Sequence, residues 1–407
     1  MRCALIIPSW VPEDLFPAKT ANSQVNYWQP LGTLYVAAVL LEAGHEVRFY
    51  NGAFMTQQQI LSDIQAFSPG FVGIYSTTFG WPRAVQTSKD ISALNFDTFI
   101  CVGGPYPTAV QEDCLCNGED DIDAVIFGEA EITLAQLVTA LERRQSLHNI
   151  QGLIFREEDN IVKNEPRPFL EDLDSLPFPA RQLLGKEVEQ YVPPPATYKR
   201  KPVAVMITSR GCNRRCIYCS QFDKDRKSGL RGVRYRSIEN VLEEIEYCIN
   251  QGYREIKFID DTFASDYDRA MELCIAIKAH RLNFTWFASA CANQVDKPLL
   301  KAMKDAGCWA LLIGAESGVQ KNLNTLHKGI KLEHVRVAVK AAKEIGLRVS
   351  TPFIIRIPGE TYEDALKTID FAVEVNPDFA NFHALTTFPG TPLYDNIEKY
   401  GTLSEHL

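Results

Sequence analysis

Residues 209–220 read SRGCNRRCIYCS and place three cysteines, Cys212, Cys216 and Cys219, in a Cys-x3-Cys-x2-Cys run. Three thiolates at this spacing can hold three irons of a [4Fe-4S] cluster and leave the fourth iron without a protein ligand. A zinc site is the alternative, but zinc requires a closed tetrahedral set of ligands, and a fourth Cys or His at ribbon or finger spacing is missing nearby. We therefore predict an iron–sulfur cluster with these three cysteines as its metal ligands.

The cysteine run lies near the start of a series of alternating strands and helices that begins at about residue 201. This pattern predicts parallel strands joined by crossover helices, and therefore a partial (β/α)6 barrel of the TIM type over residues 201–407. We expect its strands at residues 203–208, 255–259, 283–289, 308–313, 348–355 and 381–387. Because active sites of such barrels lie at the carboxyl ends of the strands, the informative residues are expected there.

The cysteine spacing, the aromatic Tyr218 before the third cysteine and the short apolar strand before the run resemble the cluster loop of radical S-adenosylmethionine (SAM) enzymes. In that family the open iron binds the amino and carboxylate groups of SAM, and one electron from the cluster cleaves SAM to methionine and a 5'-deoxyadenosyl radical. The resemblance implies that SAM-binding residues lie in the cluster loop and after the second, fourth and fifth barrel strands. These are Tyr218, Asp260, Asp261, Gly314, Glu316, Ser317 and Arg356.

Four polar residues at these strand ends also have ordinary explanations. Asp260 and Asp261 suit the amino group of SAM, but either carboxylate could instead cap the following helix. Relatives in the family usually carry glycine where Arg356 stands, so its guanidinium either holds a carboxylate or phosphate of SAM or substrate, or points outward. His383, on the sixth strand, is either a substrate contact or proton-transfer group, or a solvent-facing histidine. The sequence leaves these alternatives open.

Residues 1–145 form an earlier series of short apolar strands and amphipathic helices. Five strands, expected at residues 3–8, 46–50, 71–76, 98–103 and 123–127, predict a flavodoxin-like (Rossmann-type) parallel sheet. Ligands of such sheets bind at the carboxyl ends of the strands. Candidate binding residues at those ends are Ser76, Thr77, Gly103, Gly104, Gly128 and Glu129.

Four short segments of this region resemble the cobalamin-binding domain that precedes many radical SAM cores: residues 30–35, 43–47, 102–105 and 127–131. The resemblance implies cobalamin as a cofactor. One motif departs from the family, because Gln29 and Tyr27 stand where the histidine and aspartate of Asp-x-His-x-x-Gly would be. His45 is not a substitute, since it is predicted at a helix-to-strand turn. The domain therefore either binds cobalamin without histidine ligation or keeps the fold without the cofactor.

Composition sets outer limits on the protein. The 407 residues are 46% hydrophobic and 23% charged, as in an ordinary globular protein. The formal net charge of -9 argues against nucleic acid as a partner. The 11 cysteines lack the regular spacing of a secreted disulfide framework, and the eight outside the cluster run are expected to be reduced thiols. Without a signal-peptide core or a membrane-length apolar run, the chain is predicted to be cytoplasmic.

Residues 146–200 are expected to be a connector with a small hairpin and a proline-rich linker.

We weigh three functions. The first is a cobalamin-dependent radical SAM methyltransferase that acts on an unactivated carbon of a small molecule, supplied with electrons by a flavodoxin- or ferredoxin-type reductant. The second keeps radical cleavage of SAM without methyl transfer, as in a dehydratase, epimerase, cyclase or carbon–carbon coupling enzyme. The third is a non-catalytic cobalamin-binding sensor, and the acidic and Gly-x-Glu-Ser phrases at the strand ends count against it.

Overall fold

The computed structural model describes residues 1–11, 27–116, 120–193, 197–220 and 232–400. The chain divides into two compact units. The first comprises Met1–Leu170 and Ser175–Gln190, and the second comprises Glu171–Asp174 and the chain from Tyr191 onward.

The first unit is built on a seven-stranded sheet in the order β2-β1-β3-β4-β5-β6-β7. Strands β1 to β5 are parallel, and their order is that of flavodoxin-like folds, which confirms the predicted fold class. The hairpin expected in the connector pairs antiparallel with β5 and extends this sheet. The strands are β1 (Arg2–Ile7), β2 (Glu46–Asn51), β3 (Phe71–Tyr75), β4 (Phe99–Gly103), β5 (Ala124–Ile126), β6 (Leu153–Glu157) and β7 (Asn160–Lys163).

Helices cover both faces of this sheet, because successive residues of each strand point to opposite faces and both faces are apolar. In β1, Leu5 belongs to one buried cluster and its neighbour Ile6 to the other. The second of the helices is capped at its amino end by Thr56, whose hydroxyl accepts the backbone N–H of Gln59 in a capping box. The helices are α1 (Leu31–Glu42), α2 (Gln57–Phe67), α3 (Trp81–Ser92), α4 (Pro105–Val110) and α5 (Glu131–Glu142).

The second unit contains a six-stranded parallel sheet in the order β15-β14-β13-β12-β11-β8, the partial barrel that the sequence predicts. Its strands are β8 (Val203–Met206), β11 (Glu255–Phe258), β12 (Thr285–Ala290), β13 (Cys308–Ile313), β14 (Arg348–Ile355) and β15 (Phe379–Ala384). A separate antiparallel pair is formed by β9 (Ser209–Arg210) and β10 (Arg234–Tyr235). The helices are α6 (Ile238–Asn250), α7 (Tyr267–His280), α8 (Lys297–Asp305), α9 (Gln320–Thr325), α10 (Leu332–Ile345), α11 (Tyr362–Val375) and α12 (Pro392–Asp395).

None of the helices in the described part of the chain combines the length and hydropathy needed to cross a lipid bilayer.

Two charged side chains are buried on β11. The carboxylate of Glu255 is satisfied by hydrogen bonds that include the indole N–H of Trp309 at 3.0 Å and the hydroxyl of Thr285 at 2.7 Å. Lys257 is 7% exposed, and its ammonium lies 4.2 Å from the centroid of the Phe287 ring. Burial lowers the pKa of Lys257 to about 7, because the folded protein favours the neutral form of this side chain over the charged one.

Replacement of Lys257 by Met should therefore flatten part of the pH dependence of stability. The folded-state pKa lies below that of an unfolded lysine, so the unfolded chain binds more protons at intermediate pH, and stability rises from about pH 7 to about pH 10. Thermal unfolding of wild type and Lys257→Met, followed over this range, should show a smaller rise in the variant. Parallel curves for the two proteins would contradict a lowered pKa at Lys257.

Candidate active site

The three cysteines lie in a loop that leaves the carboxyl end of β8. The loop is closed at its base by the antiparallel pairing of β9 with β10, in which Ser209 lies opposite Tyr235. Cys216 is buried, and Cys212 and Cys219 are partly exposed. The backbone N–H of Cys219 donates to the carbonyl of Cys216 at 3.2 Å, which turns the chain between the last two cysteines.

The thiols fit the predicted iron–sulfur cluster. The pKa of Cys212 and of Cys216 is raised to about 11 each, mainly by burial and in smaller part by other thiols of the motif, which are Cys219 and Cys216 for Cys212, and Cys219 for Cys216. A group of three or more His, Cys, Asp or Glu side chains converging on a single metal ion is not found among the described residues. Three cysteines in one short loop suit a cluster that takes three thiolates, whereas tetrahedral zinc requires a fourth ligand.

Asp260 and Asp261 have different environments. Asp260 is 3% exposed, and its Oδ1 accepts the N–H of Thr208 at 2.9 Å, the hydroxyl of Thr208 at 3.0 Å and the hydroxyl of Ser209 at 2.5 Å. Its carboxylate therefore ties the start of the cluster loop to β11. Asp261 is exposed and lies close enough to Cys212 to raise the pKa of that thiol. Asp261 is therefore the solvent-exposed carboxylate of the two, whereas Asp260 Oδ2 is buried and has no hydrogen-bond partner among the described residues.

A buried ion pair lies near Cys216 of the cluster loop. Lys328 Nζ is 2.6 Å from Glu316 Oε1, and the two side chains are 14% and 9% exposed. Burial alone would lower the pKa of Lys328, but Glu316, Tyr218 and Cys216 together raise it well above its usual value. Gly314 leaves room for the pair, since a Cβ there would lie 2.6 Å from Glu316 Oε1 and 3.0 Å from Lys328 Nζ. The sequence analysis missed Lys328, whose only signal is its place in the loop after the fourth barrel strand.

Ser317 and Tyr218 are packed into the protein. The Ser317 side chain is fully buried, and its hydroxyl lies 3.1 Å from the hydroxyl of Thr368 and accepts the amide of Asn322 at 3.1 Å. Ser317 therefore stabilises the loop after β13 through hydrogen bonds in the protein interior. The Tyr218 ring packs against an apolar cluster that includes Ile354 and Leu326, and burial raises its pKa.

Arg356 has an unusual backbone conformation at the carboxyl end of β14. Its φ is +67°, in the left-handed region that favours glycine. The carboxylate of Glu360 holds the turn by accepting the N–H groups of Arg356 at 2.5 Å and Ile357 at 3.2 Å. Arg356 is exposed, so its guanidinium is accessible to an anion. His383 is also exposed, on β15 opposite Ile354.

At the carboxyl edge of the first sheet, the predicted glycines meet two different needs. Gly104 has φ +112°, and a Cβ there would lie 2.6 Å from the carbonyl oxygen of Ser76, so the close approach of two strand ends requires glycine. Gly128 has φ +80°, and a Cβ there would meet no atom within 4 Å, so its surface is open to a flat ligand. Gly103 joins the strand ends, because its carbonyl accepts the N–H of Ser76 at 2.8 Å.

The hydroxyls and the carboxylate at this edge make local contacts. Ser76 donates to the carbonyl of Thr77 at 3.0 Å, and the Thr77 hydroxyl accepts the N–H of Gly80 at 3.2 Å. Glu129 Oε2 accepts the N–H of Leu170 at 2.9 Å. A hydroxyl that accepts one hydrogen bond, as Thr77 does, can also donate one to a ligand. The open surface at Gly128, after β5, and the Thr77 hydroxyl, after β3, lie at the same carboxyl edge and fit the side-chain amides and phosphate of cobalamin.

The positions of the missing histidine motif are occupied by other groups. The Tyr27 ring lies 4.9 Å from Phe54 and 6.1 Å from Trp10, and Gln29 is 3% exposed. His45 lies at the amino end of β2, where its N–H donates to the carbonyl of Leu40, which confirms its predicted place in a helix-to-strand turn. It is therefore at the edge of the sheet opposite to the candidate binding residues.

The parallel sheet with a glycine-lined carboxyl edge, followed by a partial barrel with three cysteines after its first strand, defines the class of cobalamin-dependent radical SAM enzymes. The chain belongs to the radical SAM superfamily, whose model matches residues 206–372, and the model of the B12 binding domain matches residues 20–138.

Similar proteins agree with this assignment. The chain is 35% identical to the uncharacterized methyltransferase PH0819 of Pyrococcus horikoshii over 97% of its own length and 83% of that protein. It is 27% identical to cytidylyl-2-hydroxyethylphosphonate methyltransferase of Streptomyces wedmorensis, over 91% and 78% of the two chains. The fold resembles that of the radical SAM methyltransferase TsrM from Kitasatospora setae, solved with tryptophan substrate and a SAM analogue, with a TM-score of 0.78 at 20% identity over 98% and 76% of the chains.

These findings confirm the predicted family, fold class and enzyme class. They also confirm that [4Fe-4S], SAM and cobalamin are the cofactor set of the family, since TsrM has been solved with cobalamin and a [4Fe-4S] cluster. The individual residues predicted to bind these groups remain predictions.

The contrast between the two adjacent aspartates can be tested directly. Asp260→Ala removes the acceptor of three hydrogen bonds in a buried place, which should cost about 2–3 kcal/mol and weaken iron retention. Asp261→Ala removes an exposed side chain and should change unfolding stability by less than about 0.5 kcal/mol. Thermal unfolding of the two variants measures the difference. Equal stability losses would show that Asp260 does not anchor the cluster loop.

The backbone at Arg356 allows a second test. Alanine and glycine both remove the guanidinium, but only glycine accepts the left-handed conformation without steric cost. Arg356→Gly should therefore be more stable than Arg356→Ala by roughly 0.5–1 kcal/mol, after allowance for the greater freedom of glycine in the unfolded chain. Chemical denaturation of the two variants gives the comparison. If the alanine variant is the more stable, the residue is not held at positive φ.

Proposed function

We propose that this protein binds a [4Fe-4S] cluster through Cys212, Cys216 and Cys219, cleaves SAM beside it, and methylates an unactivated carbon of a small molecule. The observation that carries the proposal is the placement of the three-cysteine loop, with Asp261 near Cys212 and the Lys328–Glu316 pair near Cys216. The sequence relatives named above are methyltransferases, which supports methyl transfer as the outcome.

The protein's own groups would bind and orient SAM. When bound, the cluster supplies one electron and an iron site for the amino and carboxylate groups of SAM. Asp261, exposed beside Cys212, is placed to accept a hydrogen bond from the amino group. Glu316 and Lys328 fix each other and would present one negative and one positive group to the ribose and carboxylate. Tyr218, Gly314 and Ser317 shape and support this side of the pocket.

The carboxyl edge of the first sheet would hold cobalamin. When bound, cobalamin supplies the methyl group. Gly103, Gly104 and Gly128 would let the ligand approach the backbone, while Thr77 and Ser76 offer hydroxyls. Because Tyr27 and Gln29 replace the histidine motif, we expect cobalt without histidine ligation. Glu129, tied to the backbone of Leu170, would help to shape the edge.

Two further parts of the proposal concern the source of electrons and the recognition of an anionic group. Each cleavage of SAM consumes one electron, so an external reductant of the flavodoxin or ferredoxin type is required, and we place the reaction in the reducing cytoplasm. Arg356, whose exposed guanidinium suits carboxylate and phosphate oxygens, would receive an anionic group of SAM or of the substrate.

The products of SAM test this function. Protein reconstituted anaerobically with iron, sulfide and cobalamin, and supplied with SAM and a chemical reductant, should form 5'-deoxyadenosine together with S-adenosylhomocysteine. Cys212→Ala, Cys216→Ala and Cys219→Ala should each lose both products, because each removes a cluster ligand. Cys116→Ala, which alters a partly exposed cysteine of the first unit, is the matched control and should keep both.

The product ratio separates the alternatives. Formation of 5'-deoxyadenosine without S-adenosylhomocysteine would contradict methyl transfer and favour a radical rearrangement, elimination or coupling. Formation of neither product by wild-type protein that holds four irons would contradict SAM cleavage altogether.

A further inference from the structure

Two amide side chains after β12 contact the cluster loop. Arg214 Nη2 donates to Asn293 Oδ1 at 2.6 Å, and Gln294 Nε2 donates to Asn213 Oδ1 at 3.4 Å. Asn213 and Arg214 stand between the first two cysteines of the motif, so both hydrogen bonds act on the segment that sets the position of the thiols.

The same two amides reach the neighbouring loops of the barrel. Gln294 Oε1 accepts the hydroxyl of Thr262 at 2.8 Å, and Thr262 directly follows Asp261. Asn293 Nδ2 donates to the carbonyl of Gly329 at 3.4 Å, and Gly329 directly follows Lys328. Asn293 and Gln294 therefore link the cluster loop to the loops that carry the acidic and basic groups of the candidate SAM site.

Arg214 makes the asparagine contact the strongest of these links. Its Nε is buried and has no hydrogen-bond partner among the residues that the structure describes, so the guanidinium has given up water on that side. A partly desolvated cation depends on the acceptors that remain, and a hydrogen bond from a charged donor is about twice as strong as a neutral one. The Asn293 oxygen also accepts the thiol of Cys291 at 3.3 Å, which fixes the orientation of the amide.

We propose that Asn293 and Gln294 are positioning residues that hold the cluster loop in register with the SAM-binding loops. We name this set, Arg214, Asn213, Asn293 and Gln294, the cluster clasp. The proposal rests on the proposed function, because the register matters only if a cluster and SAM must meet. Neither amide need touch the reacting atoms, since a displacement of about 1 Å in a positioning contact can cost about a hundredfold in rate.

Iron retention provides a readout that does not depend on turnover. Asn293→Ala should release cluster iron to a chelator about tenfold faster than wild type, the effect of one lost charge-assisted hydrogen bond. Asn283→Ala is the matched control: it removes a similar contact, from Arg200 Nη1 to Asn283 Oδ1 at 3.0 Å, before β12 on the same unit, and should release iron at the wild-type rate.

A double-mutant cycle tests whether Arg214 and Asn293 act as a pair. If they do, Arg214→Ala and Asn293→Ala should each speed iron release about tenfold, and the double variant should be no faster than either single variant. In the loaded enzyme, Asn293→Ala should lower the rate of 5'-deoxyadenosine formation at saturating SAM and reduce the change that SAM produces in the electron paramagnetic resonance spectrum of the reduced cluster. Asn293→Asp, which keeps the acceptor for Arg214, should restore much of this change.

Each outcome bears on one proposal or both. Wild-type protein that loads four irons, with single variants that match it in iron release and in the SAM-dependent spectrum, would overturn the clasp and leave the proposed function intact. Additive effects in the double variant would overturn the pairing of Arg214 with Asn293. Wild-type protein that loads no cluster would overturn the clasp together with the proposed function.

Discussion

The buried carboxylate of Asp260 is the interaction on which the site depends. It accepts three hydrogen bonds from Thr208 and Ser209, which follow shortly after β8, and in doing so it fixes the point at which the cluster loop departs from the sheet. Because strands β8 and β11 are adjacent and parallel, this contact also places the exposed Asp261 beside the first cysteine. The pairing of β8 with β11 in the sheet thus determines where the metal ligands lie.

Much of this arrangement could be predicted from sequence, because its signals are local. Apolar runs separated by helical periodicity indicate both parallel sheets, and the spacing of Cys212, Cys216 and Cys219 indicates the cluster. What could not be predicted depends on distant contacts. Two adjacent aspartates look alike in sequence, and the contacts of Asp260 with Thr208 and Ser209 show which one is buried. Lys328, Asn293 and Gln294 carry no motif, and their roles arise from loops that the fold brings together.

The two units illustrate different relations between sequence and fold. In the second unit the residues that could bind SAM surround the cysteines and are held by hydrogen bonds and a buried ion pair. In the first unit the strand order and glycine positions are those of a cobalamin-binding fold, yet Tyr27 and Gln29 take the place of the ligand motif. The backbone scaffold for the ligand is thus present without the histidine, as expected if the protein contacts cobalamin through its backbone and hydroxyls.

The central claim is that three thiolates hold a four-iron cluster whose remaining iron is open to SAM. Mössbauer spectroscopy of protein reconstituted with iron-57, before and after addition of SAM, tests it most directly. The account predicts the spectrum of a [4Fe-4S] cluster in which one of the four iron sites changes on addition of SAM, while the other three stay as they were. A spectrum without a four-iron cluster, or one that SAM leaves unchanged, would contradict the account.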